Sequence, residues 1–199
     1  MNSVQLESFM RKHYQATVKE QILKTVESLL KKEYCEDVTI RSVAQHLGVA
    51  VGSIYTYFPD KNAILREIYR RTCKDFLTEL QEAPQKYPTP EENFINLIVL
   101  ACTFRIKNSY RYRKILYSLE EEPPEELKAV RAFIQKQLSD LKLKALSTSN
   151  ELVKAERSIL ALCEGIAMMT LLQPKLDTVG IITFALRSLI AGWKTKISS

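Results

Sequence analysis

The stretch from Thr39 to Lys61, TIRSVAQHLGVAVGSIYTYFPDK, decides the fold. Thr39 is placed to cap a short helix whose apolar residues Ile40, Val43, Ala44 and Leu47 keep the i, i+3, i+4, i+7 spacing of one face. Gly48 supplies the left-handed backbone position that ends this helix in a sharp turn. A second short helix follows, with Ile54 and Phe58 spaced to pack inward and Ser53, Tyr55, Thr56 and Tyr57 left for other faces. Pro59 stops it, and Asp60 is placed to cap a third helix through Ile64, Leu65 and Ile68. Two short helices crossing at a glycine turn are what a major-groove reader requires. One braces against the DNA backbone while the other presents side chains to base edges.

Upstream of this motif, residues 1–16 read as a polar arm containing Arg11, Lys12 and His13, either a solvated tail or an arm touching DNA phosphates or a minor groove. Thr17 and Glu20 form a capping-box pattern, opening a helix with Ile22, Val26, Leu29 and Leu30 on one face that ends near Tyr34. That helix supplies the third wall of an N-terminal bundle over residues 17–62. Downstream, the helix over 60–80 is too long to serve that bundle alone, since Phe76, Leu77 and Leu80 lie beyond its reach. Pro84, Pro88 and Pro90 then break the chain, and Thr89 is placed to cap the next helix.

The remainder, 81–199, is helical in pattern almost throughout. Pro124 or Glu125 begins a helix running to about Leu146, and Thr148 with Glu151 forms another capping box. The helices over 151–172 and 177–194 are apolar around most of their circumference, so each must bury two sides. Ile159 and Ile166 on the first, with Ile181, Ala185, Ser188 and Gly192 on the second, are the expected seam of a homodimer.

The order Thr39, Val43-Ala44, Gly48-Val49, Ile54-Tyr55-Thr56-Tyr57-Phe58 and Pro59-Asp60-Lys61 resembles the TetR family of transcriptional regulators. Two departures stand out. Ala50 and Val51 occupy positions where the family often has Ser and Lys, so a helix cap and a phosphate contact are missing. The resemblance implies an all-α protein. An N-terminal three-helix DNA-binding bundle with a helix-turn-helix joins through a connector helix to a helical ligand-binding and dimerisation domain. It also implies a bacterial, cytoplasmic protein that binds a double-stranded DNA operator as a dimer and is released by a small-molecule effector. The DNA-binding residues are then Thr39, Arg41, Ala50, Val51, Gly52, Ser53, Tyr55, Thr56, Tyr57 and Lys61.

Charge does not by itself single out a nucleic-acid-binding end. The total of +6 divides evenly, with twelve Lys or Arg against nine Asp or Glu up to residue 75, and seventeen against fourteen beyond. Cys35, Cys73, Cys102 and Cys163 form no C-x-x-C pair, which argues against zinc and a disulfide framework. No apolar run approaches the roughly twenty residues of a membrane helix. His13 and His46 are the sole histidines, and no carboxylate pair, phosphate loop or nucleophile-base set is visible. An enzyme, a metal site and a cofactor are therefore not expected. A DNA-binding structural protein without an effector remains the alternative.

The resemblance places an effector in the C-terminal domain. Candidate lining residues are Phe76, Cys102, Arg105, Tyr112, Tyr117, Phe133, Cys163, Glu164 and Met168. Glu164 sits in an apolar run, where a carboxylate needs a partner; it is either a paired or rim-exposed charge or a counter-charge inside a pocket, balanced by Arg105 when the pocket is empty. It favours a cationic ligand. The tyrosines near Arg111, Arg113 and Lys114 favour an acidic one, such as an acyl thioester.

Overall fold

A computed structural model describes residues 3–32, 38–108 and 124–195. The described residues are helices joined by turns: α1 (Ser3–Lys32), α2 (Ile40–Leu47), α3 (Val51–Tyr55), α4 (Lys61–Gln81), α5 (Pro90–Lys107), α6 (Glu125–Asp140), α7 (Ser149–Leu172) and α8 (Thr178–Lys194). They form two compact units, one up to Arg71 and the other from Thr72, and the division falls within α4.

The first unit is closed by the residues that the apolar spacing singles out. Ile22, Leu23, Val26, Leu29 and Leu30 of α1 are buried, as are Val43 and Ala44 of α2, Ile54 and Phe58 around α3, and Ile64, Leu65 and Ile68 of α4. The polar arm expected over 1–16 is not what the structure shows. Helix α1 begins at Ser3 and runs unbroken through Thr17, whose hydroxyl donates to the His13 carbonyl at 2.9 Å instead of capping a helix. The reason is visible in the sequence: Leu6, Phe9, Met10, His13, Tyr14 and Thr17 keep helical spacing, and no Gly or Pro interrupts them.

Arg71 ties α4 to α1 by an ion pair with Glu20 while also bonding Glu67, which in turn accepts from Arg70. The Arg70 hydrogen bond pulls the Glu67 pKa down to about 2, against the opposing effect of burial and with help from Arg71.

In the second unit α5 packs on α7 and α8, and α6 on α7. Thr89 caps α5 by accepting from the Glu92 N–H at 3.2 Å, with Pro90 in the first turn. Thr148 and Glu151 close a reciprocal capping box on α7. The helix expected to reach Leu146 ends at Asp140, because Lys142 turns to φ 51° and the chain resumes as a single 3-10 turn at Lys144–Leu146. Lys194 pairs with Glu91 at 2.8 Å and Arg187 with Glu92 at 3.1 Å, fastening α8 to the start of α5. Among the described residues no helix is long and apolar enough to cross a membrane.

Candidate nucleic-acid interface

Helix α2 is fixed at both ends by its own residues. The Thr39 hydroxyl accepts from the Ser42 N–H at 3.1 Å, and the Ser42 hydroxyl accepts from the Thr39 N–H at 3.0 Å. Gly48 lies at φ 67°, and Val49 N–H bonds back to the Ala44 carbonyl at 3.0 Å, so the chain reverses within two residues. A Cβ at Gly48 would meet nothing within 4 Å. Glycine is needed there for its backbone angle, not for space.

Helix α3 has no side-chain cap: Ala50 stands at its N-cap with no hydrogen bond to offer. With only five helical residues it holds its place through Ile54 and Phe58, both buried. The Lys19 ammonium lies 5.0 Å from the centroid of the Phe58 ring, bracing the anchor from α1. Asp60 caps α4, accepting from the Ala63 N–H at 2.6 Å.

The expected DNA-facing residues are thereby placed. Arg41, Ala50, Val51, Gly52, Ser53, Tyr55 and Thr56 are exposed, and Tyr57 and Lys61 are half-buried. Thr39 is exposed, but its oxygen is used in capping α2. The Thr56 hydroxyl donates to the Gly52 carbonyl at 3.3 Å. Beside Thr56 and Tyr57, α1 contributes Gln15, Ala16 and Lys19 to a groove of about 340 Å³. The groove exists because α1 continues through residues 15 and 16 instead of giving way to a polar arm.

The second unit treats its expected site residues unequally. Phe76 stacks on Phe104 with centroids 4.9 Å apart, so no ligand fits between those two rings. Cys102 and Cys163 are buried beside each other. The hydrogen bond between them, and then burial, pushes the Cys102 thiol well above its usual range. Phe133 is half-buried, and Tyr112 and Tyr117, like Tyr110, lie outside the described residues.

Three expectations need correction. Glu164 is not an interior counter-charge: its side chain is 41% exposed and pairs with Arg105 at the rim of α5 and α7. Met168, expected to line a pocket, is exposed instead. Ile159 and Ile166, expected at a dimer seam, are 1% and 3% exposed and belong to the chain's own core with Ala155, Cys163 and Ala167. The outward stripe of α7 is Ala161, Gly165, Met168 and Leu172, two residues out of register with the expected one. Both stripes are apolar, which is why the pattern alone did not separate them.

Among the described residues the buried carboxylate is Glu156, four residues after Leu152 and three before Ile159 on the inward face of α7. It is 1% exposed, its Oε1 has no hydrogen-bond donor, and the Arg131 Nε stands 3.8 Å away.

A capped bracing helix, a glycine turn and a short exposed helix on two buried anchors make a helix-turn-helix, followed by an all-α C-terminal unit. Residues 22–68 match the profile of the bacterial regulatory proteins of the tetR family. An HTH-type transcriptional regulator of Staphylococcus aureus is 22% identical over 90 residues, 45% of this chain and 49% of that one, so the match spans about half of its length. A protein from Rhodococcus sp. RHA1 whose structure is described as of unknown function shares the fold with a TM-score of 0.74 at 16% identity, over 89% of this chain and 95% of that one. The regulator FadR of Bacillus subtilis, solved in complex with stearoyl-CoA, superposes with a TM-score of 0.61 at 19% identity, over 87% and 98%.

Proposed function

We propose that this protein is a repressor that binds a palindromic operator as a homodimer and is released by a small apolar or amphipathic effector. The observation that carries the reading is α3: Val51, Ser53, Tyr55 and Thr56 are exposed on a helix whose buried anchors are Ile54 and Phe58. Side chains held in this way read base edges in the major groove, and a two-fold dimer sets two such helices about 34 Å apart, one turn of B-DNA.

The dimer face moves from the expected seam to the apolar surface that α7 and α8 leave uncovered. Leu172 is 85% and Phe184 74% exposed, with Met168, Met169 and Val179 also outward. Ile181, Phe184, Ala185, Ser188 and Gly192 share one face of α8, and small residues there admit close helix approach. For the effector, the stearoyl-CoA complex of the similar Bacillus subtilis protein supports an acyl thioester, and Glu164 offers no uncompensated charge to a cation.

A second reading, DNA binding without an effector, draws on the direct Phe76–Phe104 stack and the packed Cys102–Cys163 pair, which fill the place expected for a ligand. Selection of duplexes from a random pool tests DNA recognition, with a palindromic consensus as the expected result. Recovery of no sequence preference would overturn the repressor reading. Adding long-chain acyl-CoA to the selected duplex complex then separates the two readings. Release supports an effector; unchanged binding supports the second.

A further inference from the structure

We propose that Cys102 and Cys163 form a redox-modifiable dithiol, which a small peroxide converts into a disulfide that locks α5 to α7.

The two cysteines are free thiols on different helices, far apart in sequence. Arg105 on α5 pairs with Glu164 on α7, and that contact sets the turn carrying Cys102 against the turn carrying Cys163. Inward of the ion pair the two thiols meet in a hydrogen bond. Cys102 is 0% and Cys163 3% exposed, with Ile98, Ala101, Ile159 and Ala167 buried on the same two helices. A disulfide requires the sulfurs to close to about 2.05 Å, a displacement shared by two short side chains already in contact. Size selects the oxidant. Thiols buried this deeply are closed to a bulky disulfide, whereas hydrogen peroxide is small and uncharged. The partly exposed Arg105–Glu164 pair marks the side nearest solvent.

The proton between the sulfurs assigns their roles. The Cys102 thiol is pushed well above its usual range, first by the hydrogen bond with Cys163 and then by burial. It therefore keeps its proton and donates toward the Cys163 sulfur, which leaves Cys163 to attack. The Cys163 sulfur bonds one peroxide oxygen, the O–O bond breaks, and the thiol proton leaves with the other oxygen as water. A sulfenic acid results. The Cys102 sulfur then attacks the sulfenic sulfur, the S–O bond breaks, and the departing hydroxide takes the Cys102 proton as a second water. Two thiols are oxidised to one disulfide, and one peroxide is reduced to two waters. The bridge closes the chain from 102 to 163 into a loop that contains α6, which removes freedom from the unfolded second unit.

The test uses the full chain, reduced, freed of added thiol and treated with hydrogen peroxide. It is then blocked with N-ethylmaleimide in denaturant and digested with trypsin without reduction. Mass spectrometry should find peptide 87–105 joined to peptide 158–175, lighter than the two free peptides by two hydrogens, with dithiothreitol restoring both. The oxidised protein should melt at least about 5 °C above the reduced one. Cys102→Ala should stop Cys163 at the sulfenic acid, which dimedone traps, whereas Cys163→Ala should leave Cys102 an unmodified thiol. Met10, 63% exposed, becomes the sulfoxide in the same samples and shows that peroxide acted. Met10 oxidised while Cys102 and Cys163 are both blocked as free thiols would overturn the proposal. So would a bridge from either cysteine to Cys35 or Cys73, or a sulfinic acid at Cys163 with no bridge. If the alanine variants fail to fold, the wild-type peptide map alone decides.

Discussion

Tyr55 is 51% exposed on α3, one residue after the fully buried Ile54. The two neighbours should therefore fail in opposite ways. Tyr55→Ala should cost about 1–3 kcal/mol of binding to a selected duplex and leave the thermal transition in place. Ile54→Ala should cost about 2–5 kcal/mol of stability, and binding would fall only because the first unit unfolds. Circular dichroism melts beside anisotropy titrations separate these outcomes, and a Tyr55→Ala protein that melts early would show the tyrosine to be structural. Glu156 allows a prediction of the opposite sign. Its buried carboxylate lacks a donor on Oε1, and Arg131 is 45% exposed and stays hydrated if left alone. Glu156→Leu should raise the melting temperature. A lower one would mean that the long Arg131 contact outweighs the desolvation of the carboxylate.

Among the elements, α4 carries the clearest pH dependence. Arg70 and Arg71 hold the Glu67 pKa at about 2, below its ordinary value of 4.5. A carboxylate depressed in the folded state contributes stability that is complete above its unfolded pKa and is lost as pH falls through the folded one. The first unit should weaken between about pH 4.5 and 2, and Glu67→Gln should flatten that part of the profile in acid titrations followed by circular dichroism. Helices α7 and α8 make the prediction about assembly. Phe184→Glu, at a position 74% exposed in the single chain, should give monomers in sedimentation and abolish protection of a palindromic duplex. A dimer that survives it would place the seam on another face.

At the scale of the whole molecule, most local signals in the sequence hold, the Thr17 capping box excepted. Thr39, Gly48, Asp60, Thr89 and Thr148 each end or begin a helix where their chemistry puts them, because a cap acts over three or four residues. The long-range assignments were harder. Helix α7 carries apolar residues on an inward and an outward stripe, and a periodicity that fits both does not say that Ile159 and Ile166 belong to the core. For Glu164 the sequence admits both a pocket and a paired charge at the rim, and the ion pair with Arg105, fifty-nine residues away, is the second of these. Glu156 looked ordinary and is buried. If the protein responds to an effector, a long-chain acyl-CoA should raise the melting temperature, since it binds the folded form alone, and lower operator affinity by the same coupling free energy. A thermal-shift series over chain lengths, read beside operator titrations, checks both halves; stabilisation without loss of affinity would separate ligand binding from regulation.

Because α3 is held by the buried Ile54 and Phe58, its outward side chains take no part in the core. Val51, Ser53, Tyr55 and Thr56 can change together while the scaffold stays as it is. If α3 reads DNA, a duplicated copy of this chain could therefore acquire a different genomic address in four substitutions, inheriting its stability unaltered. In such a lineage the address would drift faster than the architecture that delivers it.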